Sequence, residues 1–295
     1  MAQSKKTRRK KGTAAKSAGR AAQRHSNRLR AAFGGARRGK NKGPALVAYV
    51  TAGDPDVKFT QALVLRLAEA GADVVELGVP FSDPIADGPV IQRASERALR
   101  SGTTLADVLK LAGRIRKKSP VPLVLFSYYN PLLQMGVERF AGRAVAAGID
   151  GVLITDLTPE EADGFVTTMR RARPGGLDTV FLAAPTSTPA RLRAITRLSR
   201  GFVYVISRRG TTGPRQDVPA DVARLVKRVR RLTRLPLAVG FGIARREQVA
   251  ALAGIADAVV VGSALVECCE QHGHTPAALE AAAELVQDLK GAGES

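Results

Sequence analysis

The sequence predicts an α/β protein built as a (β/α)8 barrel, and three observations support that prediction. Eight short apolar segments alternate with stretches of helical periodicity along the chain. Gly71, Gly148 and Gly254 each stand between a helical stretch and the next apolar segment, where helices commonly end. The 295 residues suffice for one large core, a length at which α/β barrels are commonly single domains.

The predicted strands are runs of branched and bulky apolar residues, as in a parallel sheet buried on both faces. They cover residues 45–51, 72–79, 123–129, 151–156, 178–184, 201–207, 235–241 and 256–262. Helices are predicted at 58–70, 104–117, 136–147, 159–172, 189–199, 219–232, 245–252 and 275–290. The pairs Thr158-Pro159 and Thr188-Pro189 each fit a cap followed by proline at the first helical position. Extra short helices are predicted at 90–100 after strand 2 and at 264–270 after strand 8.

The positive charge of the chain is concentrated at its amino end. The formal net charge is +20, and residues 1–43 hold fifteen Lys or Arg and no Asp or Glu. Residues 1–27 have few large apolar side chains, so we expect a disordered basic tail, then a short helix from about Arg28 within one barrel domain, 28–295. The tail lacks the apolar core of a secretory signal, and two cysteines are too few for a disulfide framework, so we expect a cytoplasmic location. Because the tail loosely resembles an organellar transit peptide, organellar targeting is the alternative. We expect it to bind polyanions weakly and without sequence selectivity.

Several mechanisms are disfavoured by the residues missing from the predicted strand ends. The three histidines lie in the tail or beyond the last strand, so none is available for a Ser-His-Asp or Cys-His arrangement. Cys268 and Cys269 are neighbours without metal-ligand spacing, and no lysine stands where a Schiff base would form. No apolar run approaches the roughly 18 residues that span a bilayer. We therefore expect no metal and no membrane span, and assign proton transfer to carboxylates or tyrosine.

The segment around the second strand holds the clearest candidate catalytic groups. Glu76 lies between the apolar residues Val75 and Leu77, where a carboxylate must be paired, face a polar cavity or keep its proton. Burial there would raise its proton affinity, which makes it a candidate acid or base. The following loop fixes Asp83 and Asp87 among prolines and glycine. Solvated turn aspartates are the alternative interpretation of these two residues.

Glycine-rich segments follow the last three predicted strands, at 210–213, 240–242 and 262–263. Glycines let the backbone approach an anion closely, and the start of the helix after Ser263 would add free amide groups and a positive dipole end. A single such turn is commonly structural. Three at successive strand ends predict a phosphate site, because the loops after strands 7 and 8 often bind phosphate in this fold.

These motifs resemble those of the tryptophan synthase alpha chain family. The run ELGVPFSDPIADGP at 76–89 is similar to the family signature, and six further segments follow the family order. They are TAGDP at 51–55, SYYNP at 127–131, TDL at 155–157, SRRGTTG at 207–213, GFGI at 240–243 and VGSA at 261–264. The resemblance covers about residues 28–285. It implies a TIM barrel that cleaves indole-3-glycerol phosphate to indole and glyceraldehyde 3-phosphate in L-tryptophan biosynthesis, a lyase reaction.

The resemblance also implies roles for individual residues. Glu76 matches the general acid/base, and Asp87 matches the second catalytic residue, which accepts a hydrogen bond from the indole N–H. Matched substrate contacts are Tyr49, Phe126 and Leu153 in the indole pocket, Tyr204 near the substrate, Thr212 and Gly213 in a closing loop, and Phe241, Gly242, Gly262 and Ser263 at the phosphate. Core packing is an equal alternative for Tyr204. Asp54 and Asp83 are expected to position loops or face a partner, as is Asn130-Pro131.

The partner implied by the resemblance is a pyridoxal-phosphate-dependent beta chain in an α2β2 assembly, with no cofactor in this chain. The long basic tail and the segment Pro214-Arg215 depart from the family pattern without touching Glu76 or Asp87. Three alternatives stay open on sequence alone. They are another phosphate-binding barrel enzyme acting on a related intermediate, a non-catalytic regulatory subunit, and a nucleic-acid-binding protein that uses the tail.

Overall fold

All strands in the described part of the chain are parallel and belong to one sheet. The structure is a computed structural model that describes residues 28–37, 43–172, 176–206, 220–240 and 242–291. The strands are β1 (Ala45–Thr51), β2 (Val74–Gly78), β3 (Leu123–Ser127), β4 (Gly151–Ile154), β5 (Asp178–Val180), β6 (Leu182–Ala183), β7 (Val203–Ile206), β8 (Leu237–Gly240) and β9 (Ala258–Val261). The predicted Thr212, Gly213 and Phe241 lie outside the described residues, as does the tail, 1–27.

The sheet closes into a barrel through the chain itself. Its order is β5-β4-β3-β2-β1-β9-β8-β7-β6, so β5 and β6 are its two edges. Only Phe181 separates these edges in the sequence, which makes them two halves of one interrupted strand. The barrel therefore has eight strand positions, as predicted, and β7, β8 and β9 are its sixth, seventh and eighth strands.

Helices follow the strands around the outside of the barrel. They are α1 (Arg28–Arg37), α2 (Val57–Glu69), α3 (Pro89–Arg100), α4 (Leu105–Arg116), α5 (Tyr129–Met135), α6 (Val137–Ala147), α7 (Asp163–Arg171), α8 (Pro189–Leu198), α9 (Ala220–Arg230), α10 (Arg246–Ala250), α11 (Ser263–Gln271) and α12 (Pro276–Gly291). The extra helices predicted after strands 2 and 8 are confirmed as α3 and α11. None of the described helices is both long and apolar enough to cross a membrane.

Side chains along each strand alternate between two apolar clusters. On β2, Val75 and Leu77 pack with residues of the surrounding helices, whereas Val74 belongs to the cluster inside the barrel. On β3, Leu125 faces the helices and Val124 the interior. Because both faces are covered, the strands lack the polar alternation of a half-exposed sheet.

Helix α1 closes the amino-terminal end of the barrel. Leu29 and Phe33 are each 1% exposed and belong to the interior cluster. The ring centroids of Phe33 and Phe202 lie 5.2 Å apart, and Arg28 Nε donates a hydrogen bond to Asp150 Oδ1 at 2.9 Å. The predicted helix start near Arg28 is confirmed.

Most element boundaries differ from the prediction by one or two residues, and two of the differences have an identifiable cause. The third strand was predicted to reach 129, but β3 ends at Ser127 and α5 begins at Tyr129, whose N–H donates to Asp156 Oδ1 at 2.8 Å instead of to a strand. A helix was predicted from 159, but α7 begins at Asp163. Residues 158–161 form a turn there, closed by a hydrogen bond from Glu161 N to Thr158 O. The other capping prediction is confirmed, because Thr188 Oγ1 accepts from Arg191 N at the start of α8.

Candidate active site

A cavity of about 260 Å³ opens at the carboxyl ends of the strands, where barrel enzymes place their active sites. Its lining residues are Tyr49, Ala86, Asp87, Gly88, Pro89, Val90, Ile91, Phe126, Tyr204, Ile206, Gly240, Gly242, Val260, Gly262 and Ser263. Most of this surface is apolar, and the described lining contains one acidic side chain and no Lys, Arg or His. Such a cavity suits an apolar ring with a few polar attachment points.

Glu76 lies in the middle of β2, in register with Tyr49 of the cavity lining on the neighbouring strand β1. Its side chain is 0% exposed, and neither carboxyl oxygen has a hydrogen-bond partner among the described residues. Burial raises the pKa of Glu76 to about 8, so the group keeps its proton at neutral pH. The predicted burial is confirmed, but its source is different. Val75 and Leu77 point outward to the helices, so the residues that exclude water from Glu76 are those inside the barrel.

Asp87 ends the loop after β2 and forms part of the cavity wall. Its Oδ2 accepts a hydrogen bond from the Tyr128 hydroxyl at 3.1 Å, and that hydroxyl accepts one from Ala86 N at 2.9 Å. Burial raises the pKa of Asp87 to about 6, although the hydrogen bond from Tyr128 acts in the opposite direction. At neutral pH the group is therefore mostly a carboxylate, and it is not a freely solvated turn aspartate.

Tyr49 and Tyr204 reach the cavity over glycines on neighbouring strands. A Cβ atom on Gly78 would lie 2.2 Å from the Tyr49 hydroxyl, and one on Gly240 would lie 2.7 Å from the Tyr204 hydroxyl. The absence of a side chain at these glycines leaves room for the two rings. Burial raises the pKa of both tyrosines, and the carboxyl groups of Asp87 and Glu76 raise it further. The two tyrosines thus lie close to both predicted catalytic groups.

The other two residues predicted for the indole pocket have different positions. Phe126 lines the cavity and meets the Tyr49 ring edge-on, with the centroids 5.2 Å apart. Leu153 is 0% exposed and packs inside the barrel with Val124 and Val180, and it is not part of the cavity lining. The structure brings Phe126 to the candidate site and leaves Leu153 in the barrel core.

Two of the three predicted phosphate loops contribute to the cavity, and the third, 210–213, lies outside the described residues. Gly242, Gly262 and Ser263 line the cavity, and Ser263 is the first residue of the nine-residue helix α11. The amide groups in the first turn of a helix have no carbonyl partner within the helix, so they and the helix dipole attract an anion. Gly242 has a φ of +83°, a backbone conformation that favours glycine.

Sequence reasoning missed Tyr128 as a site residue. It appears in the SYYNP segment, but the contact with Asp87 crosses 41 residues of sequence and has no local pattern. The prediction also missed Val90 and Ile91 of α3, whose side chains form part of the apolar wall. Their position immediately after the Asp87 loop was the only signal that could have suggested them.

Large apolar side chains are exposed on the segments after β2 and β3. Ile85 is 87% exposed and Leu133 of α5 is 50% exposed. Asp83 and Asn130, predicted to face a partner, are also exposed. Among the described residues, no three His, Cys, Asp or Glu side chains are grouped closely enough to hold a metal ion.

Comparison with known proteins identifies one family. Residues 36–293 match the sequence model described as "Tryptophan synthase alpha chain". Among curated relatives with that name, the one from Solibacter usitatus is 57% identical over 236 residues, which cover 80% of this chain and 87% of the relative. The one from Geobacter sulfurreducens is 53% identical over 231 residues, which cover 78% of this chain and 86% of the relative.

Solved structures give the same result. The chain is similar to tryptophan synthase from M. tuberculosis, with a TM-score of 0.80, 37% identity and coverage of 90% of this chain and 98% of that one. It is also similar to the tryptophan synthase A-subunit from Pyrococcus furiosus, with a TM-score of 0.77, 42% identity and coverage of 85% of this chain and 99% of that one.

Proposed function

The chain belongs to the tryptophan synthase alpha chain family, and we propose that it cleaves indole-3-glycerol phosphate by proton transfer through Glu76, with Asp87 as the second catalytic group. The observation that carries this proposal is a pair of carboxyl groups at one cavity whose pKa values are raised to about 8 and about 6. At neutral pH the first holds its proton and the second has mostly lost it. A cleavage that begins with protonation of an indole ring needs both an acid and an anion.

The cavity has the polarity that this substrate requires. The phosphate group of the substrate binds at Gly242, Gly262 and Ser263. Backbone amides and the dipole of α11 attract its negative charge there, as a basic side chain would do in other sites. The indole ring packs against the apolar wall to which Tyr49 and Phe126 contribute, and the glycerol carbons span the floor of the cavity above the second strand. This orientation places the bond to be broken next to the predicted acid.

Glu76 serves first as the acid and then as the base. It gives its proton to C3 of the indole ring, which leaves a positive charge shared with the ring nitrogen. The Glu76 carboxylate then takes the proton from the hydroxyl on the adjacent glycerol carbon. A carbonyl forms on that carbon, the bond to C3 breaks, and its electron pair restores the aromatic ring of indole. The residue ends the cycle protonated, as it began.

Asp87 stabilises the charge that this sequence creates. Its carboxylate accepts a hydrogen bond from the indole N–H, which becomes more acidic as the ring gains a proton. The hydroxyl of Tyr128 keeps the carboxylate oriented while leaving one oxygen free for the substrate.

Catalysis also requires a rotation of the Glu76 side chain, because this residue is fully buried and is not part of the cavity lining. The absence of a hydrogen-bond partner at both of its oxygens, among the described residues, supports this step. No hydrogen bond to those oxygens has to be broken before the side chain turns toward the substrate.

Members of this family act with a beta subunit, and the proposal extends to the form of the assembly. We expect an α2β2 heterotetramer in which the beta chain holds pyridoxal phosphate and this chain holds no cofactor. The exposed Ile85 and Leu133 support a docking surface beside the site. Partner binding there would hold the loop at 80–89 closed and exclude water from the substrate. Cytoplasmic location and the division into a tail, 1–27, and a barrel domain, 28–295, are part of the same proposal.

One assay tests the function. The purified chain is incubated with indole-3-glycerol phosphate, with and without a beta chain, and released indole is measured. We expect slow cleavage by the chain alone and faster cleavage in the complex. No indole in either case would overturn the proposal, and would favour a non-catalytic subunit or an enzyme acting on a related intermediate.

The role of Glu76 has its own control. Glu76→Gln keeps the shape of the side chain but cannot exchange the proton, so cleavage should be abolished, and Asp87→Asn should be nearly as impaired. The same change at the exposed Glu138 of α6 should have no effect. If Glu76→Gln kept more than about a tenth of wild-type turnover, the assignment of the acid would be wrong.

A further inference from the structure

A network of ion pairs behind the cavity joins three segments that are distant in sequence. Arg97 of α3 donates from Nε to Asp54 Oδ1 at 2.7 Å and from Nη2 to Asp54 Oδ2 at 2.9 Å. Its third nitrogen, Nη1, donates to Glu270 Oε1 at 2.7 Å. Arg93, one turn earlier, also binds Glu270 through two hydrogen bonds. The guanidinium of Arg97 is thus bound to the loop after β1 and to the last turn of α11 at once.

Each of the three joined segments supplies one wall of the cavity. Strand β1, which precedes the Asp54 loop, carries Tyr49. Helix α3, which carries Arg97, begins directly after the Asp87 loop, and helix α11 begins at Ser263 and ends near Glu270. The network lies at the far ends of both helices, so it determines how their near ends are spaced across the cavity.

The two helices also pack against each other between these ends. Val266 of α11 belongs to an apolar cluster with Val90, Ile91 and Ala94 of α3, and with Tyr49. Apolar contacts alone tolerate small sliding, because they have no preferred direction. A charged hydrogen bond at both ends of a planar guanidinium removes that freedom.

Burial makes the Arg97 contacts more important than those of an ordinary surface pair. Asp54 is 6% exposed, and the Arg97 side chain is 23% exposed. A carboxylate in that position without its partner would carry a large desolvation penalty. His274 Nε2 lies 3.5 Å from Asp54 Oδ1. This single, long contact cannot replace the two hydrogen bonds that Arg97 donates to Asp54.

We propose that Arg97 is a positioning residue that fixes the distance between the Asp87 end and the Ser263 end of the cavity. By holding α3 and α11 in register, it allows the substrate phosphate and the indole N–H to be bound at the same time. This inference rests on the proposed function for the identity of the substrate. The spacing of the two helices, however, is a property of the binding site that can be measured without cleavage.

The test compares substitutions on one helix. Arg97→Lys keeps the charge but cannot bridge two carboxylates with the same geometry, and Arg97→Met removes the charge while keeping an unbranched side chain of similar reach. Arg100→Met is the matched control, because Arg100 is 78% exposed and meets only Glu96, at 3.5 Å, in the described structure. Each variant is measured for the dissociation constant of indole-3-propanol phosphate, the substrate without its two glycerol hydroxyls, which spans both ends of the cavity and cannot be cleaved. The dissociation constant of inorganic phosphate, which occupies one end only, is measured beside it, together with KM and kcat for indole-3-glycerol phosphate and Tm.

We expect both Arg97 variants to raise KM and the dissociation constant of indole-3-propanol phosphate about 10-fold, because a displacement of well under 1 Å already weakens an oriented site. Arg100→Met should leave both constants unchanged, and the affinity for inorganic phosphate should be similar in all variants. A lower Tm with unchanged KM and unchanged binding of indole-3-propanol phosphate would overturn the proposal, since an ion pair that only stabilises the fold would give that result. If the Arg97 variants fail to fold, Glu270→Gln tests the same link, because it weakens the contact with α11 while Arg97 stays bound to Asp54.

The two proposals fail in different ways. Absence of indole from the wild-type chain and complex would overturn the function but leave the binding measurements valid. Affinity for indole-3-propanol phosphate that is equal in the wild type, Arg97→Met and Glu270→Gln would overturn the positioning role even if the wild type cleaves its substrate.

Discussion

Replacing Tyr128 by phenylalanine removes one oxygen atom and with it the hydrogen bond to Asp87. The donor and acceptor are 3.1 Å apart, and Tyr128 is 3% exposed, so water cannot easily take the place of the hydroxyl. A hydrogen bond donated to a carboxylate favours its ionised form. Its loss should therefore raise the pKa of Asp87 above its present value of about 6.

The size of the effect follows from the strength of such a bond. A hydrogen bond to a charged group contributes ~1.5–3 kcal/mol, and the partial exposure of Asp87 favours the lower end, which corresponds to a pKa increase of about 1 unit. If the ionised form of Asp87 is the active one, kcat/KM should fall ~2-fold at pH 7 and ~5-fold at pH 6. The loss should disappear toward higher pH, where Asp87 is ionised in both proteins.

The measurement is the pH dependence of kcat/KM for indole release between pH 5 and pH 9.5. In the wild type we expect a bell-shaped profile, with an acid limb near pH 6 from Asp87 and an alkaline limb near pH 8 from deprotonation of Glu76. Tyr128→Phe should move the acid limb to higher pH and leave the alkaline limb in place. Tyr129→Phe is the control, because that neighbouring ring packs edge-on against Phe165 and has no contact with Asp87 in the described structure.

Two results would refute this reasoning. An acid limb at the same pH in Tyr128→Phe and wild type would show that the hydrogen bond does not control the ionisation of Asp87. An equal loss of activity at every pH would show that Tyr128 acts through the shape of the loop, for example through its second hydrogen bond, to Ala86 N.

The remaining predictions concern stability, the partner surface and the tail. Glu76→Gln should be inactive but more stable than the wild type at pH 9. A carboxyl group whose pKa is raised from 4.5 to about 8 on folding lowers the free energy of unfolding by ~1.4 kcal/mol for each pH unit between those two values. Thermal unfolding at pH 5 and pH 9 measures this, and an equal difference in Tm at both pH values would contradict a buried, protonated carboxyl group. Gly240→Ala should reduce the free energy of unfolding by ~1–3 kcal/mol, because its Cβ would lie 2.7 Å from a tyrosine hydroxyl, whereas Gly142→Ala, in open space on α6, should be neutral or slightly stabilising. Urea denaturation checks both, and a harmless Gly240→Ala would show that the cavity can rearrange. Leu133→Asp should leave cleavage by the chain alone unchanged and reduce its stimulation by a beta chain, and full stimulation would place the docking surface elsewhere. Deletion of residues 1–25 should leave cleavage and Tm almost unchanged. Because it removes nine Lys or Arg, it should also abolish any salt-sensitive binding of the chain to DNA. Loss of cleavage on truncation would show that the tail is part of the fold.

The barrel and the location of its site were predictable because their signals are local. A strand buried on both faces appears as a short apolar run, and a helix as a 3.6-residue period with a capping residue such as Thr188 and a terminal glycine such as Gly148. Each signal depends on a few neighbouring residues. Since parallel strands must be joined by helices, the alternating order of the elements already implies that the carboxyl ends of the strands, with Glu76 and Asp87, meet at one face.

The prediction was wrong where distant contacts compete with the local pattern. The apolar residues 128 and 129 read as a continuation of the third strand, but the amide of Tyr129 binds the carboxylate of Asp156 and a helix begins there. Likewise, the burial of Glu76 was correctly expected, but its sequence neighbours face the opposite side of the sheet, so they do not supply it.

Only the tertiary structure determines how the site is tuned. The contact between Tyr128 and Asp87 crosses 41 residues, and the contacts of Arg97 with Asp54 and Glu270 cross 43 and 173 residues. The difference in pKa between the two carboxyl groups likewise depends on how much of each is removed from water by residues from other strands. Burial and hydrogen-bond distance depend on strand register and helix packing, and a change of about 1 Å in either decides whether a hydrogen bond exists. Such distances are set by the whole packed barrel, and no stretch of sequence encodes them by itself.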